Sequence, residues 1–173
     1  LVDNPKSDNC LGIPVIGSST YENITSEDEI IVAIGNPDIR QRLLEAYSQK
    51  GLKAATLIHP DAVIGTGVKI GEGTVVMAGA VINPDAVVGK GVIINTGATV
   101  DHDDVICDYA HISVGAHIAG TVTIGKSTWI GAGAVVSNNL HICDRVMVGT
   151  GAAVVKNIKE QGTYVGVPAR KIK

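Results

Sequence analysis

The sequence predicts a mainly β protein: a parallel β-helix of triangular section, preceded by a small α/β domain. Three observations carry this reading. Ile or Val recurs every six residues from Ile58 to Val154, 17 times in succession. Bulky side chains are scarce, with no Phe and one Trp. Residues 1–57 obey another rule, in which an apolar run precedes an amphipathic stretch.

The six-residue period decides the main architecture. A helical period of 3.6 cannot produce it, and a simple alternating strand does not require it. Each hexapeptide reads as one short flat side, with Ile or Val pointing to the axis. A small or aliphatic residue two positions earlier fills in beside it: Ala62, Val68, Thr74, Ala80, Ala86, Val92, Ala98. Gly often follows the repeat residue, as at Gly65, Gly71, Gly89, Gly125, Gly131 and Gly149, and is expected to help turn the corner. Three sides close a coil, so residues 18 apart stack at roughly the strand spacing of ~4.8 Å. Scarce aromatics suit such a narrow interior. Each coil buries its inside only against its neighbours, so the ends need caps.

The period also assigns neighbours. Gly120 stacks on His102, and Trp129 on His111. Cys107 and Cys143 fall two coils apart, ~9.6 Å, beyond the ~7 Å Cα limit for a disulfide.

The first domain is assigned to residues 1–57. The run EIIVAIG (29–35) reads as a buried strand and GIPVIG (12–17) as another. In NPDIRQRLLEAYSQKG, Asn36 can cap a helix, Pro37 suits its first turn, Leu43, Leu44 and Tyr47 mark an apolar face, and Gly51 can end it. The domain reads as N-terminally truncated, opening at LVDNP without a preceding strand-loop-helix unit. The β-helix is assigned to 58–155 and a C-terminal cap to 156–173.

Composition narrows the function classes. The net charge of −3 comes from mixed acids and bases, which argues against a nucleic-acid or membrane surface. No apolar run approaches the ~20 residues of a membrane span. No signal peptide is visible, and a cytoplasmic location is expected. Cys10, Cys107 and Cys143 form no metal-binding spacing, and no metal is expected.

One stretch stands apart chemically. TVDHDDVICDYAHI (99–112) sets His102 among Asp101, Asp103 and Asp104. An imidazole with an ordinary pKa of about 6.5 can serve as a general base, and an adjacent carboxylate can orient it. Taken alone, a histidine at a β-helix corner is more often a solvated surface residue than a catalyst. Asp101 and Asp104 read as turn and solubility residues, and His59, His117 and His141 as structural or surface groups.

Several motifs together resemble a known family. They are VDNP (2–5), AIGNPDIR (33–40), LIHPDAVIG (57–65), INTGATVDHD (94–103), HISVGAHIAGTVTIG (111–125), IGAGAVV (130–136) and GVPARKI (166–172). The chain resembles the bacterial hexapeptide-repeat sugar acetyltransferases, which include sialic acid O-acetyltransferases and UDP-4-amino-sugar N-acetyltransferases of the bacillosamine type. The resemblance implies a Rossmann-like N-terminal domain and a left-handed β-helix. It also implies a homotrimer with acetyl-CoA, as co-substrate, between adjacent subunits, and a sugar or nucleotide-sugar acceptor. It assigns His102 as general base, Asp103 as its orienting acid and the Gly120 N–H as oxyanion donor. His111 then lies by the acetyl-CoA. Gly120, Gly131, Gly149, Thr150 and Gly151 are candidates for lining the cofactor channel, and Lys156 and Arg170 for meeting CoA phosphates. Asp3, Asn4 and Gly35 match segments near the sugar nucleotide; the family often has a second acid where Asn4 stands. The favoured acceptor is a UDP-4-amino sugar, with sialic acid O-acetylation as the alternative. Two rivals of other classes are a trimeric β-helix metal lyase resembling carbonic anhydrase, built on His102, His111 or His117, and a non-catalytic scaffold.

Overall fold

The computed structural model describes residues 9–15 and 28–173. Its main body is a parallel β-helix whose strands pair at a constant step of 18, as in Val88 with Ile106 and Ile106 with Ile124. Three sheets form the sides. The first runs through Leu57–Ile58, Val75–Val76, Ile93–Ile94, His111–Ile112, Trp129–Ile130 and Val146–Val148. The second runs through Val63–Ile64, Val81–Ile82, Thr99–Val100, His117–Ile118, Val135–Val136 and Ala153–Val154. The third runs through Lys69–Ile70, Val87–Val88, Val105–Ile106, Thr123–Ile124 and His141–Ile142.

The repeat residues fill the axis, where Ile82, Ile94, Ile112, Ile124 and Ile130 are fully buried beside Ala80, Ala98 and Ala116. At the first coil, Ile58 and Ile64 stay exposed. At the other end, Ile158 bridges to Ile142, and Gly162–Val165 pairs with Val146–Val148 and, antiparallel, with Arg170–Lys171.

The corners differ from the expectation in one respect. The glycines that directly follow the repeat residue do not make the turn. The left-handed φ falls two positions later, at Gly67, Gly79, Gly97 and Gly115, and equally at Asp85, Asp103, Thr121 and Asn139. Glycine after the repeat residue answers to stacking instead. A Cβ at Gly71 or Gly125 would stand 2.5 Å from the backbone of the next coil.

Before the β-helix, Asn9–Cys10 pairs antiparallel with Ile13–Pro14. Glu29–Ile30 pairs parallel with Lys53–Ala54, with helix α1 (Pro37–Gln49) between them, a βαβ unit. Asn36 caps α1 by accepting from the Ile39 N–H at 3.1 Å, and Gly51 follows it at φ +80°. The ladder expected over 29–35 stops after Ile30. The partner strand also ends there, at Ala54, and the carbonyls of Ile34 and Gly35 are taken by Arg40 Nη1, at 2.7 and 2.8 Å.

Arg40 also fastens this lobe to the β-helix. Its Nε donates to the Gly91 carbonyl at 2.7 Å, and Nη2 donates to those of Tyr109 and Ala110 at 2.6 and 3.3 Å. The guanidinium is buried, and burial lowers its pKa to about 10, so it stays charged at neutral pH. Five carbonyl oxygens do the work that a carboxylate would otherwise do. Around it, Leu44 packs with Val32 and Tyr109.

Candidate active site

His102 and Asp103 occupy the corner between the second and third sheets, just after Val100. Asp103 adopts φ +59°, a conformation that Asp tolerates better than most residues. His102 Nδ1 meets Asp103 Oδ2 at 2.8 Å. Donating that N–H leaves the Nε2 lone pair free to accept a proton. The hydrogen bond to Asp103, followed by the negative charges of Asp101 and Asp103, holds the imidazole above its ordinary pKa. Both side chains are more than half exposed, so the pair is open to a ligand.

Gly120 sits one coil away, as the period requires. The Thr121 N–H donates to the His102 carbonyl at 3.0 Å, locking the two corners together. A Cβ at Gly120 would stand 2.6 Å from His102 Nε2. Only glycine lets the imidazole lie there, and the Gly120 N–H has no hydrogen-bond partner among the described residues.

The corner is fixed by carboxylates on both sides. Asp101 Oδ1 accepts from the His102 N–H at 2.8 Å and from Asn83 Nδ2 at 2.7 Å. These bonds, that from Asn83 foremost, lower the Asp101 pKa. Asp104 is not the solubility residue the sequence suggested. It fills an inward position of the repeat, fully buried. Its Oδ2 accepts from the Asp101 N–H at 2.9 Å and its Oδ1 from the Val122 N–H at 2.7 Å. Burial outweighs those bonds and pushes its pKa up to about 7.

His111 lies elsewhere, on the first sheet. It stacks on Trp129 with ring centroids 4.7 Å apart, beneath Gly35, whose Cα would carry a Cβ 3.9 Å from His111 Cε1. Asn95 Nδ2 lies 3.2 Å from His111 Nε2, and Trp129 Nε1 donates to Ser113 Oγ at 2.6 Å. His111 is 6% exposed. Burial, then the nearby Arg40 cation, lowers its pKa to about 4. His111 is therefore neutral at physiological pH, and its buried Nδ1 has no hydrogen-bond partner within bonding geometry among the described residues.

The remaining predicted residues are scattered over one protomer. Gly131 and Gly149 follow repeat residues, and a Cβ at either would meet the next coil. Thr150 and Gly151 form an exposed corner between the first and second sheets. Lys156 stands exposed on the same edge as His102, three coils on, and Arg170 is exposed in the terminal hairpin. Asp3 and Asn4 lie outside the described residues. Asn95 and Arg40 escaped the sequence reading. The period placed Trp129 one coil from His111 without giving it a role in the site. For Arg40 the signal was an arginine on the same helix face as Leu43, Leu44 and Tyr47. Among the described residues no group of three His, Cys, Asp or Glu could hold a metal, and no helix is long and apolar enough to cross a membrane.

Comparison with known proteins gives a consistent answer. Residues 1–47 match the PglD N-terminal domain, and residues 52–84 and 67–102 match the bacterial transferase hexapeptide (six repeats). The acetyltransferase domain of PglB from Neisseria gonorrhoeae is 40% identical, with a TM-score of 0.95 over 99% of this chain and 85% of that one. A second structure of that domain is a complex with acetyl coenzyme A. PerB from Caulobacter crescentus, in complex with CoA and GDP-perosamine, is 36% identical, with a TM-score of 0.92 over 96% of this chain and 82% of that one. A 48-residue stretch is 42% identical to UDP-N-acetylbacillosamine N-acetyltransferase of Bacillus subtilis, spanning 28% of this chain and 22% of that enzyme. The chain therefore belongs to the hexapeptide-repeat sugar N-acetyltransferases that carry a PglD-type N-terminal domain.

Proposed function

We propose that this protein transfers an acetyl group from acetyl-CoA to the amine of a nucleotide-linked amino sugar, with His102 as general base. The observation that carries the reading is the His102–Asp103 contact of 2.8 Å, which leaves Nε2 free beside Gly120. N-acetylation is favoured over O-acetylation because a 36% identical relative matched over 94% of this chain is a perosamine N-acetyltransferase, in complex with CoA and GDP-perosamine. A UDP-4-amino sugar is the favoured acceptor.

The chemistry uses few groups. The acceptor nitrogen attacks the thioester carbonyl, and His102 Nε2 takes the proton that nitrogen must lose. Asp103 stabilises the imidazolium that forms. The Gly120 N–H donates to the oxyanion of the tetrahedral intermediate. As the C–S bond breaks, the imidazolium returns its proton to the CoA sulfur, giving the amide and free CoA thiol. No covalent enzyme intermediate is needed.

A homotrimer suits this reading. His102 lies on one edge, His111 on the first sheet and Thr150–Gly151 on another edge, so one chain alone does not gather them. A neighbouring subunit packed along the helix axis would bring a second set of groups to the His102 edge. Lys156 and Arg170 are the cations proposed to meet the CoA phosphates. The location proposed is cytoplasmic, where acetyl-CoA and nucleotide sugars are made.

The test is a substrate panel. Acetyl-CoA is incubated with UDP-linked and GDP-linked 4-amino sugars and with sialic acid, and free CoA thiol is followed. Release with an amino sugar and not with sialic acid is expected. Release with sialic acid alone would overturn the N-acetyltransferase reading.

A further inference from the structure

We infer that Asp104 is a positioning residue for the acetyl transfer: its buried carboxylate joins the corner that carries His102 to the coil that carries Gly120. The inference rests on the reading of His102 as the base. It adds a residue that touches neither substrate and acts through the backbone.

The geometry is specific. Asp104 stands where the repeat puts Ala, Val, Leu or Thr, pointing into the β-helix. One oxygen accepts from Val122, two residues past Gly120, and the other from Asp101, the residue before His102. The carboxylate thus spans from the base to the oxyanion donor inside the wall of the helix. At the corners between the first and second sheets the backbone closes the turn itself. Ala98 donates to the Asn95 carbonyl at 3.0 Å, and Ala116 to that of Ser113 at 3.0 Å. Along the edge that carries His102, between the second and third sheets, no corner among the described residues has that backbone bond, and at the His102 corner Asp104 Oδ2 receives the Asp101 N–H while Asp101 Oδ1 receives that of His102.

The same protein supplies a control for what the coil alone requires. Thr74 and Thr128 occupy inward positions too. Each hydroxyl accepts from the residue 18 further on, Val92 at 3.0 Å and Val146 at 3.1 Å, and donates to a carbonyl 15 further on. A threonine therefore meets the need of the stack. Asp104 does this for Val122 and, in addition, reaches back to Asp101. Stacking explains the first bond, and only the placement of the corner explains the second. A buried carboxyl is costly, so its retention at this one corner points to that second bond.

Asp104→Thr separates the two roles, because it keeps an acceptor for Val122 and removes the one for Asp101. It is compared with wild type, the near-isosteric Asp104→Asn and His102→Ala, using purified full chain, acetyl-CoA and the best amino-sugar acceptor. Asp104→Thr is expected to unfold cooperatively, to keep the KM for acetyl-CoA within about twofold, and to lose about tenfold in kcat. The His102 imidazole, followed by NMR titration, is expected to lose part of its raised pKa. Asp104→Asn, with one acceptor oxygen left, is expected to fall between wild type and Asp104→Thr in kcat; if Asp104→Thr does not fold, it carries the test. Wild-type kcat and wild-type His102 titration in a folded Asp104 variant would overturn the inference, even with His102→Ala inactive. An active His102→Ala would overturn the base reading instead; the His102 titration in the Asp104 variants then decides the positioning role by itself.

Discussion

A methyl group built on Gly120 would stand 2.6 Å from His102 Nε2. The proposed base and the proposed oxyanion donor are thus neighbours with no side chain between them, held by the coil spacing. Gly120→Ala must push the imidazole aside, while the outward location spares the core. The expected outcome is a folded protein with kcat reduced about tenfold to a hundredfold. Steady-state kinetics with circular dichroism checks it; unchanged kcat would remove Gly120 from the mechanism.

Asp103 sets the pH dependence of the reaction. His102 acts as a base only when neutral, so kcat/KM falls as pH drops through its raised pKa. Asp103→Ala removes the hydrogen bond that contributes most to that rise. The acid-side midpoint of the kcat/KM profile is expected to move to lower pH while the plateau falls. A midpoint that stays in place would show that the limb belongs to another group.

Arg40 predicts how the two lobes come apart. Arg40→Met removes the guanidinium donor from the carbonyls of Ile34, Gly35, Gly91 and Tyr109, while that of Ala110 keeps the Ile93 N–H. A loss of about 3 kcal/mol or more is expected. Hydrogen exchange should show the amides of α1 opening before those of the β-helix strands. Equal protection of both would mean that apolar packing alone holds the lobe.

His111 and Asp104 pull stability in opposite directions with pH. His111 has a folded pKa of about 4, depressed from 6.5. The unfolded chain binds its proton first, so this contribution to stability is lost as pH falls from 6.5 towards 4. Asp104 has a folded pKa of about 7, raised from 3.8. The folded chain holds that proton longer, so stability is lost as pH rises from 3.8 through 7. In the shared window the two slopes, each about 1.4 kcal/mol per pH unit, oppose each other. Urea unfolding of His111→Phe relative to wild type should therefore become less favourable to the fold as pH rises from 4 to 6.5, and that of Asp104→Thr more favourable. Parallel curves for all three proteins would contradict the buried states of both groups.

The sequence carried most of the β-helix, because a strict six-residue period leaves one arrangement of side chains that stacks. It carried the His102–Gly120 and His111–Trp129 neighbours for the same reason. It did not carry the burial of Asp104. That residue reads as one more acid in an acidic cluster until its place, two before Ile106, is counted as an inward position. It also misassigned the cause of the glycines after the repeat residue, since close approach of stacked backbones leaves no mark distinct from turning. The lobe interface was hidden because Arg40 bonds to carbonyls of Gly91, Tyr109 and Ala110, and backbone acceptors have no sequence signature. The resemblance placed His111 near the cofactor, and the period did not show that Gly35 and Trp129 lie against its ring.

The most direct measurement is the turnover of His102→Ala with acetyl-CoA and a nucleotide-linked 4-amino sugar, followed as free CoA thiol at the wild-type pH optimum. Loss of the general base predicts a kcat at least about a hundredfold below wild type, with the KM for acetyl-CoA little changed. Turnover within a fewfold of wild type in the folded variant would contradict the assignment of His102 as the base.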